Sequence, residues 1–145
     1  MQAKSVCYGA KNNEFGKFQI SRQGLLKGMK LKYVSGYTGC SSEDSKARWG
    51  AWQFISAIVT DSDRNIIFPN PQILKNDTYY RYIMRGYNSK TSKAITYTEL
   101  HDPLYVEEHT ELQIWFGEDL KDIAEGDNFG THCVDVYAQI VDRMG

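Results

Sequence analysis

Apolar and polar positions along this chain alternate with period two far more often than they recur with the 3.6-residue period of a helix. Met29, Leu31 and Tyr33 alternate with Lys30 and Lys32, which predicts a strand with one face buried and a basic face in water. Trp52 to Val59 is almost wholly apolar and reads as a central strand covered on both sides, with Trp52 in the core. Asp61 to Asn65 predicts a hairpin turn, and Ile66 to Phe68 a short return strand stopped by Pro69. Tyr79 to Arg85 reads as a further aromatic strand, and Ala94 to Leu100 alternates again.

Near the C-terminus Leu112, Ile114 and Phe116 share a face opposite Gln113 and Trp115. Val134, Val136, Ala138 and Ile140 share another, opposite Cys133, Asp135 and Tyr137. A short helical turn near Leu120 to Ala124 is the most that the intervening stretch predicts. The expected fold is all-β: one antiparallel β-sandwich domain over residues 1–145, jelly-roll-like, with 1–16 as a loosely attached segment.

Composition sharpens this. Ten Tyr, six Phe and three Trp among 145 residues favour strands, where aromatic side chains pack on a pleated surface. A net charge of −1, from 17 basic and 18 acidic residues, argues against a nucleic-acid partner. No apolar run approaches the roughly 20 residues needed to span a bilayer, so membrane insertion is not expected. No signal peptide is visible at Met1 to Lys4. The three cysteines, Cys7, Cys40 and Cys133, contain no C-x-x-C pair, which leaves zinc and thioredoxin-like chemistry without support. One disulfide involving Cys40 or Cys7, plus one free thiol, suits a secreted chain.

Two strings, Leu112-Gln113-Ile114-Trp115-Phe116-Gly117-Glu118-Asp119-Leu120 and Asp127-Asn128-Phe129-Gly130-Thr131-His132-Cys133-Val134-Asp135-Val136-Tyr137, carry a resemblance. They are similar to a β-rich domain of predicted secreted proteins from cnidarians and other marine invertebrates. Val34 to Tyr37, Cys40 and the pair Trp49-Gly50 resemble its N-terminal half. The resemblance implies an extracellular setting but no established activity. It also implies a further Cys after the Trp-Gly pair; Ala51 stands there, so a local bridge from Cys40 lacks that partner.

The chemistry concentrates between the last two strands. Glu118, Asp119, Asp127, Asn128 and Asp135 are hard oxygen donors of the kind calcium takes six to eight of, at about 2.3–2.6 Å, so they are the expected calcium ligands. The alternative for such a loop is solvated carboxylates capping backbone amides. Trp115 leads into that loop, and with Glu118, Asp119, Asn128 and Tyr87 it forms the expected ligand-binding set. His101, His109 and His132 are isolated, and no nucleophile elbow, phosphate loop or dinucleotide fingerprint occurs. The function these features favour is an extracellular lectin-like or adhesive binding module, calcium-assisted, recognising a glycan or a protein surface. A structural or matrix protein that self-associates into homo-oligomers is the first rival. A glycan hydrolase using Glu118 and Asp135 is the second. The chain is not expected to be an enzyme.

Overall fold

The computed structural model describes residues 2–98 and 103–142. Among these described residues eleven strands run in chain order: β1 (Ala3–Gly9), β2 (Gly16–Gln19), β3 (Gly24–Cys40), β4 (Gly50–Ala51), β5 (Phe54–Ile55), β6 (Ala57–Asp61), β7 (Ile66–Phe68), β8 (Ala94–Tyr97), β9 (Leu104–Val106), β10 (Glu111–Phe116) and β11 (Asn128–Val141). Two short helices, α1 (Pro71–Leu74) and α2 (Gly117–Lys121), interrupt them. One sheet has the order β1-β11-β3-β8, with β9 also on β3; the other has the order β2-β10-β6-β7. All pairings are antiparallel, and β4 and β5 form a separate small hairpin. The chain is therefore all-β, as expected. Among the described residues no helix is long and apolar enough to cross a membrane.

The long pair β3–β11 is the spine, running from Asn128 opposite Cys40 to Val141 opposite Leu25. Its inward faces follow the alternation in the sequence: Leu26, Met29 and Leu31 on β3, and Val134, Val136 and Ile140 on β11, are all buried. Leu112, Ile114, Trp115 and Phe116 supply β10's share of the core.

Several expectations are corrected. Residues of the 1–16 segment are not loose: β1 pairs with β11, and Cys7 is bonded to Cys133 directly across that ladder. Cys40 is the free thiol. The apolar stretch from Trp52 is not one strand, because the chain turns at Trp52-Gln53 between β4 and β5 before β6 begins. Trp52 takes a positive φ of 56° there and is 38% exposed; the buried indole beside it in sequence is Trp49. Tyr79 to Arg85 is irregular chain, held by the Asp77 carboxylate accepting the Tyr79 and Arg81 N–H groups, and it meets β5 through the Ile55–Tyr82 bridge and the Arg81 guanidinium over the Phe54 ring. The strand predicted over 94–100 is β8 as far as Tyr97; residues 99 and 100 lie outside the described residues. The helical turn begins earlier than expected, at Gly117.

Candidate functional site

Trp52 is the organising side chain. A Trp in the left-handed region is sterically costly and persists where its surroundings fix it. Here its N–H donates to the Ser45 carbonyl at 2.8 Å, and its own carbonyl accepts the Ser89 hydroxyl. With Gln53, Tyr87, Asn88, Ser89 and Lys90 it lines a pocket of about 330 Å³. That wall is preformed: the Asn88 carboxamide accepts the Lys90 and Thr91 N–H groups, and the Lys90 ammonium donates to the Asp44 carbonyl at 3.0 Å.

On its other flank Trp52 neighbours the Cys40 thiol, and that thiol lies in the field of Glu118, Asp127 and Arg81. Burial pushes the Cys40 thiol up, and the two carboxylates push it further. Gly117 allows the close approach behind this group. A Cβ there would stand 2.5 Å from the Tyr80 carbonyl oxygen, so only glycine brings the start of α2 against residues 79–81. Glu118 is consequently buried, and burial raises its carboxyl to about 7, with the Asp127 charge adding to the rise. Arg81 and Asn128 oppose the shift. The Arg81 guanidinium is itself fixed, 4.5 Å from the Phe54 ring centroid and 4.9 Å from that of Tyr79. Asn128 is buried, donates from Nδ2 to the Ala10 carbonyl at 3.0 Å, and leaves its Oδ1 without a partner.

The expected site residues therefore separate. Glu118, Asp127 and Asn128 come together, and Tyr87 joins Trp52 in the pocket wall. Asp119 is fully buried, and both its oxygens accept backbone N–H groups, from Asn13 at 3.0 Å and Glu14 at 3.2 Å; it pins the 10–15 loop. Asp135 lies seven residues along β11 from Asn128, opposite Lys32, where it accepts the Ser5 N–H at 2.8 Å. The five expected calcium ligands are thus not gathered around one point. Among the described residues no group of three or more His, Cys, Asp or Glu side chains is placed to hold a metal ion. Asp135, the partner expected for Glu118 in a hydrolase pair, lies seven residues along β11 from Asn128, the neighbour of Glu118. Trp115 is a correction too. It is fully buried between the Phe15 ring (4.7 Å) and the Arg64 guanidinium (4.8 Å), with its indole N–H on Gln113, so no ligand reaches it.

The residues missed from sequence are Trp52 and Arg81. Gly50 was the available signal for Trp52: its Cβ position lies 2.2 Å from the Phe54 carbonyl oxygen, the mark of a tight reversal inside an apolar run.

A second polar group is buried away from this rim. His132 on β11 is wholly inaccessible, its Nδ1 2.8 Å from the Tyr8 hydroxyl. Tyr33 stacks on it at 5.6 Å, and Trp49 meets it edge-on at 4.7 Å. Burial, helped by the Arg48 charge, lowers it to about 3. It is a neutral structural histidine.

The two antiparallel sheets present one exposed indole, Trp52, beside a small polar pocket, the kind of concave site at which ligands bind. No known family model matches the chain, and no curated protein does. Among solved structures it is similar to AJLec from the sea anemone Anthopleura japonica, with a TM-score of 0.85 and 28% sequence identity over 97% of this chain and 96% of that one. The cnidarian source of that neighbour agrees with the β-rich marine family that the C-terminal strings resemble.

Proposed function

We propose that this chain is an extracellular lectin-like module whose glycan site is the Trp52–Tyr87 pocket and its Glu118–Asp127–Asn128 rim. The observation that carries this reading is Trp52 itself: an indole held outward by a strained backbone, next to a pocket of about 330 Å³ lined by amide, hydroxyl and ammonium groups. Sugar rings lay their C–H faces on such surfaces, and the polar wall takes hydroxyls. Similarity over nearly the whole chain to AJLec, a protein with a lectin-type name, supports the class. The Cys7–Cys133 bridge supports an oxidising, extracellular setting.

Calcium belongs to the proposal in reduced form. Glu118, Asp127 and the unpartnered Asn128 Oδ1 are the donors left at the rim once Asp119 and Asp135 are subtracted, and bound hydroxyls and water would complete an ion's shell. Because Glu118 ionises only near pH 7, cation affinity should rise as pH passes upward through that value. A glycan array run in calcium and in chelator tests both halves. Binding that falls at least tenfold (about 1.4 kcal/mol) in Trp52→Ala supports the pocket. Array signal unaltered by that substitution overturns it, and signal unaltered by chelator removes the ion.

A further inference from the structure

Arg48 sits on main chain that is fixed on both sides. Ala47 bridges Thr38 of β3, and the Trp49 N–H donates to the Ser89 carbonyl at 3.0 Å. The half-buried Arg48 guanidinium stands 4.1 Å from the centroid of the Tyr33 ring, and one of its terminal N–H groups donates to the Thr91 carbonyl at 3.2 Å. Tyr33 is backed in turn by the buried His132 ring at 5.6 Å. The 88–92 turn that supplies the Thr91 carbonyl is itself braced. Asn88 accepts the Lys90 and Thr91 N–H groups, and the Ser92 carbonyl accepts the Trp49 indole N–H. Stacking and one hydrogen bond therefore orient the planar fork before anything binds.

Arginines held this firmly usually face a carboxylate. Among the described residues no carboxylate is ion-paired with Arg48, and its terminal N–H groups beyond the bond to Thr91 meet no protein acceptor. The rings beside it feel the uncompensated charge, which opposes the burial-driven rise of the Tyr33 hydroxyl and adds to the fall of His132. A second cation borders the same ground. The Tyr33 N–H donates to the Lys93 carbonyl at 2.8 Å, which extends the β3–β8 register by one pair, so Lys93 stands beside Tyr33 on the same face. Lys93 is exposed, and among the described residues no acid pairs with it. Of the acids in the neighbouring turn, Glu43 is already taken by Lys46 at 3.1 Å.

We infer that Arg48, with Tyr33 and Lys93 beside it, is an oxyanion subsite that takes the sulfate ester or carboxylate group of an acidic glycan. A guanidinium offers its N–H groups in a plane that two oxygens of one sulfate or carboxylate match, and the Lys93 ammonium adds a mobile point charge. The subsite adjoins the Trp52 pocket through one wall: Asn88, Ser89 and Lys90 line that pocket, and the next residue of the turn, Thr91, holds Arg48. One sugar on Trp52 and a charged neighbour at Arg48 would lie along the same turn. The oxyanion subsite stands on Arg48 and Lys93, whereas the glycan as carrier of the oxyanion rests on the Trp52 reading.

The test uses the intact chain, labelled with ¹⁵N, first in sodium sulfate against sodium chloride at equal ionic strength. The Arg48 Nε–H is buried without an acceptor, which makes it a sheltered reporter. A saturable shift of that signal under sulfate is expected; no shift, or the same shift under chloride, overturns the subsite. Binding is then measured to dextran sulfate, carboxymethyl dextran and uncharged dextran of equal length. A charged polymer should bind at least tenfold tighter than dextran, and the tighter of the two identifies sulfate ester or carboxylate as the group recognised. Arg48→Lys keeps the charge but loses the planar fork, and should weaken that binding at least tenfold. Equal binding by this variant overturns the inference, and so does an equal loss in the double variant Lys30→Gln, Lys32→Gln on the outer face of β3, because either result means diffuse attraction. If Arg48→Lys does not fold, the sulfate titration of the wild type decides alone. Trp52→Ala separates the two readings: a loss there as well supports a glycan along the shared wall, and unchanged charged-polymer binding overturns that wall while the Arg48 subsite stands.

Discussion

The His132 nest and the Glu118 rim both bury a titratable side chain, yet they do so to different ends. Around His132 the closure is complete: Tyr8, Tyr33 and Trp49 wall the ring, and no surface opens onto it. At the rim the closure is one-sided. Glu118 is covered by the 79–81 segment, while Asp127 and Trp52 beside it face solvent. Burial disfavours the charged form in both places, so it lowers the base to about 3 and raises the acid to about 7. The nest stays neutral throughout the physiological range and contributes to folding alone. The rim changes charge within that range, next to a surface a ligand can reach. A perturbed pKa marks function only where the perturbing shell is open.

The bond that should separate the two regions most strongly is Cys7–Cys133. Its cysteines are the chain neighbours of Tyr8 and His132, which face each other in the next register of the same ladder. The bridge closes a loop of 126 residues. In the chain-entropy account a loop of that size contributes about 4–5 kcal/mol. The double variant Cys7→Ala, Cys133→Ala should lose that much in denaturant melts while the Trp52 pocket still forms below the midpoint. A loss under about 1 kcal/mol would show that the nest holds without its clamp.

Acid is the next lever. Below pH 6.5 the unfolded chain binds a proton at His132 that the folded chain refuses until about pH 3, so stability falls as pH falls through that window. The expected loss between pH 7 and pH 4 from this group is about 3 kcal/mol. His132→Phe should cost about 1–2 kcal/mol at pH 7, by stranding the Tyr8 hydroxyl, yet flatten the acid limb. An unflattened limb in that variant would assign the acid sensitivity elsewhere.

The two nearby tryptophans make the same contrast in side chains of one type. Trp49 donates its indole N–H to the Ser92 carbonyl at 2.8 Å from a fully buried position, and Trp49→Ala should cost about 3–5 kcal/mol. Trp52→Ala should cost under about 1 kcal/mol, because the side chain is partly in water and its strained φ is relieved little by alanine. Thermal melts of the two variants side by side check the ordering; equal losses would mean Trp52 is a packing residue after all.

How far this division could be read from the chain depended on whether one face of each strand meets water. Alternation in Met29 to Tyr33 and in Val134 to Ile140 was legible because β3 and β11 bury one face and wet the other. The apolar run from Trp52 to Val59 had no such marker. An exposed turn at Trp52-Gln53, a two-residue strand and β6 follow one another inside it, and the nearly unbroken apolar run carries no period that marks their boundaries. Aromatic density misplaced Tyr79 to Arg85, whose geometry comes from Asp77 accepting two backbone N–H groups rather than from a ladder. For the site, Glu118, Asp127, Asn128 and Tyr87 were legible as a polar, aromatic neighbourhood. Asp119 and Asp135 were misread because a carboxylate that caps backbone amides and one that awaits a cation have the same one-letter signature. Only the fold shows which oxygens are already used.

The smallest effect tests the rim directly. Between about pH 4.5, where an unfolded glutamate loses its proton, and about 7, where the folded Glu118 does, the folded chain holds the extra proton, so this group's contribution is intact below the window and drains away as pH rises through it. That is the opposite slope to His132, and the two overlap between pH 4.5 and 6.5. Glu118→Gln removes the alkaline cost while keeping the shape of the side chain. It should therefore stabilise the protein by about 1 kcal/mol at pH 8, a figure discounted for the rim's access to solvent, and do nothing at pH 4. Added calcium should reverse the ranking at pH 8, because an ion favours the carboxylate that glutamine lacks. If the wild type is the more stable chain at pH 8 without calcium, the Glu118 charge is already compensated by Arg81, and the rim has no unmet demand for a cation.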